Sequence, residues 1–261
     1  MRQRRLAALS LLLTTLLTGF LVSPASPAQA ATVDYVALGD SYSSGVGAPG
    51  LSGLCLRSQQ GYPPMWADDH QVSSFSFAAC AGAVTDDVRN FQIWSLNSGP
   101  DAVTISIGGN DVGFASTMIT CTFGSTASCL DSIDKGRDYA RSTLLGDLDA
   151  TYAAIRSRAP KAKVYVLGYP RLFEETTCPS GPSLTKRQAL NQAADELSGL
   201  IGGRAGAAGF TYVDVRTAFA GHGICASTPW INAFSVSVNA FHPNAAGYRN
   251  GYLPALTAVT G

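Results

Sequence analysis

Val33-Asp34-Tyr35-Val36-Ala37-Leu38-Gly39-Asp40-Ser41-Tyr42-Ser43-Ser44-Gly45 is the stretch on which the reading of this chain turns. Residues 33–38 form a short, mostly apolar run, the pattern of a strand covered on both faces in a parallel sheet. Gly39 breaks the run. Asp40 and Ser41 then fall where strand gives way to loop or helix. In α/β proteins ligands gather at this carboxyl edge of the sheet. A helix starting here would leave its first N–H groups free and favour negative charge beside the hydroxyl. That suits a serine nucleophile. It suits equally a plain helix cap by Asp40 or Ser41, and this stretch alone does not choose.

Working outward, further strands are expected at 75–79, 101–107, 163–167 and 210–215. Between them lie helical stretches at 62–70, 112–120, 131–159 and 184–208, with a last one at 243–258. Pro160 and Gly209 supply stops, and Pro254 interrupts the last helix. This alternation gives a single-domain α/β fold: three α/β/α layers on a mostly parallel, flavodoxin-like sheet of five strands. Gly45-Val-Gly-Ala-Pro-Gly50 matches G-x-G-x-x-G by letter. A dinucleotide site needs a helix opening inside that motif and an acid ending the next strand. Pro49-Gly50 opposes the helix, and Asp68-Asp69 end no strand.

Residues 1–30 read as a signal peptide. Arg2, Arg4 and Arg5 are followed by an uncharged apolar run at 6–22, then Ser23-Pro-Ala-Ser-Pro-Ala-Gln-Ala30. The small-x-small ending predicts cleavage after Ala30 and a secreted, extracellular protein. The pair Arg4-Arg5 leaves the twin-arginine route open. No cysteine adjoins the cleavage site to carry a lipid, and no later stretch is long and apolar enough to span a bilayer. The catalytic domain is expected at 31–261. Removing the leader leaves 15 basic against 18 acidic residues, a net charge of −3. Nothing in that balance suits nucleic acid or an anionic membrane surface. A monomer without a stable membrane anchor is expected.

Six cysteines in a secreted chain read as three disulfides rather than metal ligands. Fifteen pairings are possible. Pairing neighbours in order joins Cys55 to Cys80, Cys121 to Cys129 and Cys178 to Cys225, each pinning a loop that follows a strand. There is no Cys-x-x-Cys, and three histidines leave little for a zinc site. Neither a metal nor an organic cofactor is expected.

Three successive strands end in small polar turns: Gly39-Asp40-Ser41, Ala81-Gly82 and Gly108-Gly109-Asn110-Asp111. In a parallel sheet these ends share one edge, so a hydroxyl, a glycine N–H and a side-chain amide converge. Acyl transfer needs such donors, because its tetrahedral intermediate carries an oxyanion. Taken singly, each residue is an ordinary turn or cap. A serine also needs a base. His70 follows Asp68-Asp69 at a helix end, where it would serve the dipole. His222 sits between glycines in a loop. His242, in Ala240-Phe-His-Pro-Asn244, stands at the mouth of the last helix, where the chain returns to the sheet edge.

With those residues in view, the chain resembles the SGNH hydrolases, also called GDSL esterases and lipases. Gly39-Asp40-Ser41 with Tyr42-Ser43 looks like the first block, Gly82 the second, Gly108-Gly109-Asn110-Asp111 the third and His242-Pro243 the last. Longer runs at 35–47, 75–88 and 166–171 are similar to secreted actinobacterial lipases and esterases of this family. The resemblance implies Ser41 as nucleophile and His242 as base. It implies the Ser41 and Gly82 amides and the Asn110 side chain as oxyanion hole. One position departs from it. The family usually carries an aspartate three residues before the histidine, and here Asn239 stands there, with no carboxylate in 237–241. A main-chain carbonyl of Asn239 or Ala240 is the expected acceptor for the second ring nitrogen, with the Asn239 side-chain oxygen or a carboxylate from elsewhere in the chain as alternatives. The G-x-S-x-G elbow is absent, since Ser43 occupies its last glycine.

The expected activity is hydrolysis of lipid or other carboxylic esters, including phospholipid acyl esters, a substrate class implied by the resemblance. Two alternatives stand beside it. A carbohydrate O-deacetylase on this fold would use the same residues. A non-catalytic lipid- or glycan-binding protein would not react with nitrophenyl esters. Trp230, Ile231, Phe234 and Phe241 are near the histidine in sequence and read first as core, second as pocket wall.

Overall fold

The structure, a computed structural model, describes residues 32–179 and 181–261. The expected signal peptide, residues 1–30, lies outside the described residues. The chain runs β1 (Val33–Gly39), α1 (Ser41–Ser44), α2 (Tyr62–Asp69), β2 (Val72–Phe77), α3 (Thr85–Asn90), β3 (Ala102–Ser106) and α4 (Phe114–Phe123). It continues with α5 (Thr126–Tyr139), α6 (Leu145–Arg158), β4 (Lys163–Leu167), α7 (Leu184–Ala207), β5 (Thr211–Val213), α8 (Ala245–Gly247) and α9 (Leu253–Thr260). The strands form one sheet in the order β2-β1-β3-β4-β5, and every pairing is parallel. Helices α2 and α9 pack together on one face, and α3, α6 and α7 on the other. This is the three-layer fold expected from the alternation of strands and helices.

The interior strands carry the core. Leu38, Ile105 and Ile107 are fully buried, as are Leu144, Leu148 and Ile155 of the helical layer, while Tyr35 is fully buried against Trp66 of α2. That explains their continuous apolar runs, since both faces are covered. β2 is an edge strand, and its boundary differs from the expected 75–79. It begins at Val72, opposite Val33, because an edge tolerates serine on its open face. Ser74 Oγ is satisfied by the Asp34 carboxylate. It ends at Phe77 because the Ala78 and Ala79 N–H groups both turn to the Ala37 carbonyl.

The expected helix 131–159 also differs. It begins earlier, with Ser125 Oγ accepting the Ser128 N–H at 3.0 Å as an N-cap. A π turn over Ala140–Leu144 joins α5 to α6. A second π turn, Tyr248–Tyr252, precedes α9, where Pro254 interrupts the ladder.

Cys55 is bonded to Cys80, Cys121 to Cys129 and Cys178 to Cys225. All six cysteines lie in or beside segments that follow the carboxyl ends of strands.

Candidate active site

β1 delivers Ser41 through a turn that only glycine permits. Gly39 has φ +120°, and a Cβ there would stand 2.7 Å from Ser43 Oγ and 2.8 Å from the Ser106 nitrogen. Its backbone is gripped by a buried amide: Gly39 N–H donates to Gln92 Oε1 at 2.7 Å, and Gln92 Nε2 donates to Gly39 O at 2.8 Å. Asp40 then caps α1, its Oδ1 accepting the Tyr42 N–H at 3.0 Å. The cap and the serine are thus adjacent residues with separate tasks, and Ser41 is the first residue of the helix. Its N–H has no hydrogen-bond partner among the described residues, and neither has that of Gly82.

His242 reaches Ser41 from the other end of the chain. Its Nε2 lies 2.8 Å from Ser41 Oγ, and its Nδ1 lies 2.8 Å from the Ala240 carbonyl oxygen. A carbonyl accepts only, so Nδ1 carries the proton and Nε2 is left to accept from the serine. The Asn239 carbonyl, the other acceptor expected from sequence, takes the main-chain N–H of His242 at 3.2 Å instead of the ring. The Asn239 side-chain oxygen is buried and unpartnered, so it does not orient the imidazole either.

The histidine loop is held at several points. Phe241 adopts φ +63°, a left-handed conformation costly for a bulky residue. Its N–H donates to Asn232 O, and its carbonyl accepts the Tyr42 hydroxyl at 2.7 Å. Asn232 Nδ2 donates to Gly47 O and His242 O. Gly47, at φ +98°, lets the loop come this close, since a Cβ would stand 2.8 Å from His242 Cβ.

Asn110 follows β3. Its Nδ2 donates to Ala83 O at 3.0 Å, which fixes the amide orientation and leaves its second N–H free. Asp111 clamps the neighbouring turn by accepting from the Thr85 N–H and, at 2.6 Å, from Thr85 Oγ. Gly82, exposed and at φ +81°, immediately precedes these two fixed points. Because β2, β1 and β3 are neighbours, the turns carrying Gly82, Ser41 and Asn110 meet at one edge.

Ser41, Tyr42 and Asn110 also line a cavity of about 100 Å³. Its walls are mostly apolar: Val112, Phe114, Met118, Ile133, Leu172, Leu190, Leu197 and Leu200. They come from α4, α5, α7 and nearby loops. None of Trp230, Ile231, Phe234 or Phe241 takes part. Trp230 stacks on His222 and meets Phe219 edge-on, and Phe241 packs towards Phe173 and Phe234.

The electrostatics follow from burial. Desolvation holds the half-buried His242 down at about 4, against upward pulls from the Ala240 and Val238 carbonyls. No carboxylate adjoins it to favour the cation. Desolvation also pushes Asp40 up to about 7, opposed by hydrogen bonds from Tyr169, Tyr42 and Ser43. Tyr169 Oη donates to Asp40 Oδ2 and accepts the Gly109 N–H at 3.1 Å, tying the serine turn to the asparagine turn. Burial raises Asp111 as well.

The other histidines stand apart. His70 Nδ1 meets Trp66 O at 2.7 Å at the end of α2, in the capping role expected of it. His222, half-buried, meets Thr228 O with Nδ1. Among the described residues no cluster of His, Cys, Asp and Glu could hold a metal ion. Sequence reasoning missed Gln92, Tyr169 and Asn232. Tyr169 had a signal in Gly168-Tyr-Pro170, a fourth strand-end turn. Gln92 and Asn232 had none.

Such an arrangement can activate a hydroxyl, take its proton and hold an oxyanion beside an apolar slot. Residues 37–249 match the sequence model of the GDSL-like lipase/acylhydrolase family. A lipase of Streptomyces rimosus is 47% identical, across 99% of this chain and 98% of that protein. The crystal structure of an extracellular lipase from Streptomyces rimosus superposes with a TM-score of 0.86 at 48% identity, covering 88% of this chain and all of that one. That of phospholipase A1 from Streptomyces albidoflavus also gives 0.86, at 44% identity, covering 87% of this chain and 99% of that one.

Proposed function

From the chain's membership of the GDSL-like lipase/acylhydrolase family, which makes it a carboxylic-ester hydrolase, we propose that it works as a secreted enzyme through a Ser41–His242 dyad. The observation that carries this reading is the 2.8 Å approach of His242 Nε2 to Ser41 Oγ at an apolar cavity.

In this mechanism Ser41 Oγ attacks the ester carbonyl carbon while its proton passes to His242 Nε2. The carbonyl oxygen becomes an oxyanion, met by the free N–H groups of Ser41 and Gly82 and the second N–H of Asn110. Collapse breaks the bond to the alkoxy oxygen, which leaves as the alcohol with the proton from His242. A water then gives a proton to His242 and attacks the acyl carbon. The acid departs and the proton returns to Ser41. Ala240 O stabilises the imidazolium through Nδ1, in place of a carboxylate.

The apolar slot fits a fatty acyl chain, and relatives named lipase and phospholipase A1 point to glyceride or phospholipid esters. Secretion fits the leader-like residues 1–30 and a relative named extracellular. Labelling by a fluorophosphonate, lost in Ser41→Ala together with esterase activity, is the test. Retention of more than a few per cent of activity in Ser41→Ala would reject Ser41 as the nucleophile.

A further inference from the structure

Two segments flanking the Ser41–His242 pair contain no Asp, Glu, Lys or Arg: residues 112–130 and 217–248. The first holds α4, whose inner face contributes Phe114 and Met118 to the cavity. Its outer face carries Ile119 and Phe123, one helical turn apart and both exposed, Phe123 by 68%. The second holds the loop leading to His242, where Phe234, Val236 and Val238 are exposed, Val236 completely.

The two segments touch. Phe123 and Phe234 meet edge to face, their centroids 5.0 Å apart, and Phe234 lies 6.1 Å from Phe241, the neighbour of His242. An apolar, uncharged rim is therefore continuous with the site. Scattered exposed apolar side chains need no explanation, but a contiguous set beside a ligand site marks a docking surface.

We propose that this rim seats the enzyme on an uncharged or zwitterionic lipid–water interface, delivering an ester from the lipid phase to Ser41. The inference rests on the reading of Ser41 and His242 as the ester site. Charge chooses the partner. A surface for anionic lipid would carry lysines and arginines, and both segments have none. A rim without charges loses no ion hydration on entering a neutral interface, and each apolar side chain that leaves water favours binding.

Binding is measured by co-sedimentation of Ser41→Ala enzyme with phosphatidylcholine vesicles, at low and high salt. The same variant carrying Phe123→Ser and Val236→Ser is compared. Binding should persist at high salt and fall by about tenfold or more in the substituted protein, as expected for two apolar side chains leaving the interface. The same two substitutions in the active enzyme should leave hydrolysis of dissolved nitrophenyl butyrate within about twofold.

Unchanged vesicle binding in the substituted protein overturns the proposal. So does binding that needs phosphatidylglycerol and vanishes with salt. A matching loss of soluble-ester activity would make the two residues structural. A dimer by sedimentation velocity that the substitutions dissolve would assign the rim to a second copy of the chain. If Ser41→Ala still hydrolyses nitrophenyl butyrate, the nucleophile assignment fails, while the vesicle experiment still reports on the rim.

Discussion

The Tyr42 hydroxyl donates to the Phe241 carbonyl oxygen across 2.7 Å, joining the residue after Ser41 to the residue before His242. Serine and histidine lie 201 residues apart in sequence, and this buried bond ties their two turns directly, beside the Asn232 bonds that hold the histidine loop and the Tyr42 ring 5.2 Å from the imidazole. Tyr42→Phe keeps the ring and leaves the buried carbonyl without its donor, a loss of about 1–3 kcal/mol. The expected result is a lower kcat with KM little changed, and a Tm lower by about 2–4 °C per kcal/mol lost. Steady-state kinetics and a thermal melt check both; wild-type values for kcat and Tm would show the bond is not needed.

Asn110→Ala removes a donor whose orientation Ala83 fixes. Loss of one such oxyanion contact costs about 10²–10³ in kcat. A change in KM alone would make Asn110 a binding or structural group.

Asn239→Ala tests the acceptor on His242. Since the ring is held by the Ala240 carbonyl, the expected cost in kcat is under about tenfold, against about 10⁴ for altering the aspartate of a protease triad. A hundredfold loss in a folded variant would make the Asn239 side chain the third member.

The pH–rate profile should be displaced towards acid. As the proposed base, His242 must be neutral, and burial holds it near 4, below its ordinary 6.5. The acid limb of kcat/KM should therefore have its midpoint well below 6.5. A midpoint at or above 6.5 would mean that a negative group supports the imidazolium.

Asp40 and His242 pull stability in opposite directions with pH. Asp40 is raised from 3.8 to about 7, so between those values the folded state holds the proton more tightly and stability falls as pH rises. His242 is depressed, so between about 4 and 6.5 the unfolded state binds more protons and stability rises with pH. His242→Gln removes the second effect. Its stability in urea should fall from pH 4 to pH 7 more steeply than that of the unsubstituted enzyme; parallel profiles would refute the opposition.

The sheet was legible because its interior strands are buried on both faces, so 33–38, 101–107 and 163–167 read as apolar runs bounded by glycine. The edge strands read less well, since β2 exposes Ser73 and Ser74 and β5 has three residues. Ser41, Gly82, Asn110 and His242 were legible because each follows a breaker at a strand end or opens a helix. The partners that hold them were not. Gln92 grips Gly39 from 53 residues away, and Tyr169 joins Asp40 to Gly109 across the edge. No local pattern encodes a hydrogen bond between distant loops. The apolar cavity was sought beside His242, but its wall is the inner side of α4, α5 and α7, where wall and core residues share one helical period.

The disulfides all lie on the half of the molecule beyond the strand carboxyl ends. The opposite edge, where β1 opens at Val33 and β4 at Lys163, has no covalent tie among the described residues. Stability is thereby divided into two currencies: the sheet rests on burial, while the loops around the site add every cross-link to the hydrogen bonds that hold Ser41 and His242. Such a molecule can fail in stages. A reductant acts on the loops, which can open as local units while the strands keep their amides protected from exchange. An enzyme built this way would fall silent before it unfolds, and restoring oxidising conditions would return activity without refolding the sheet.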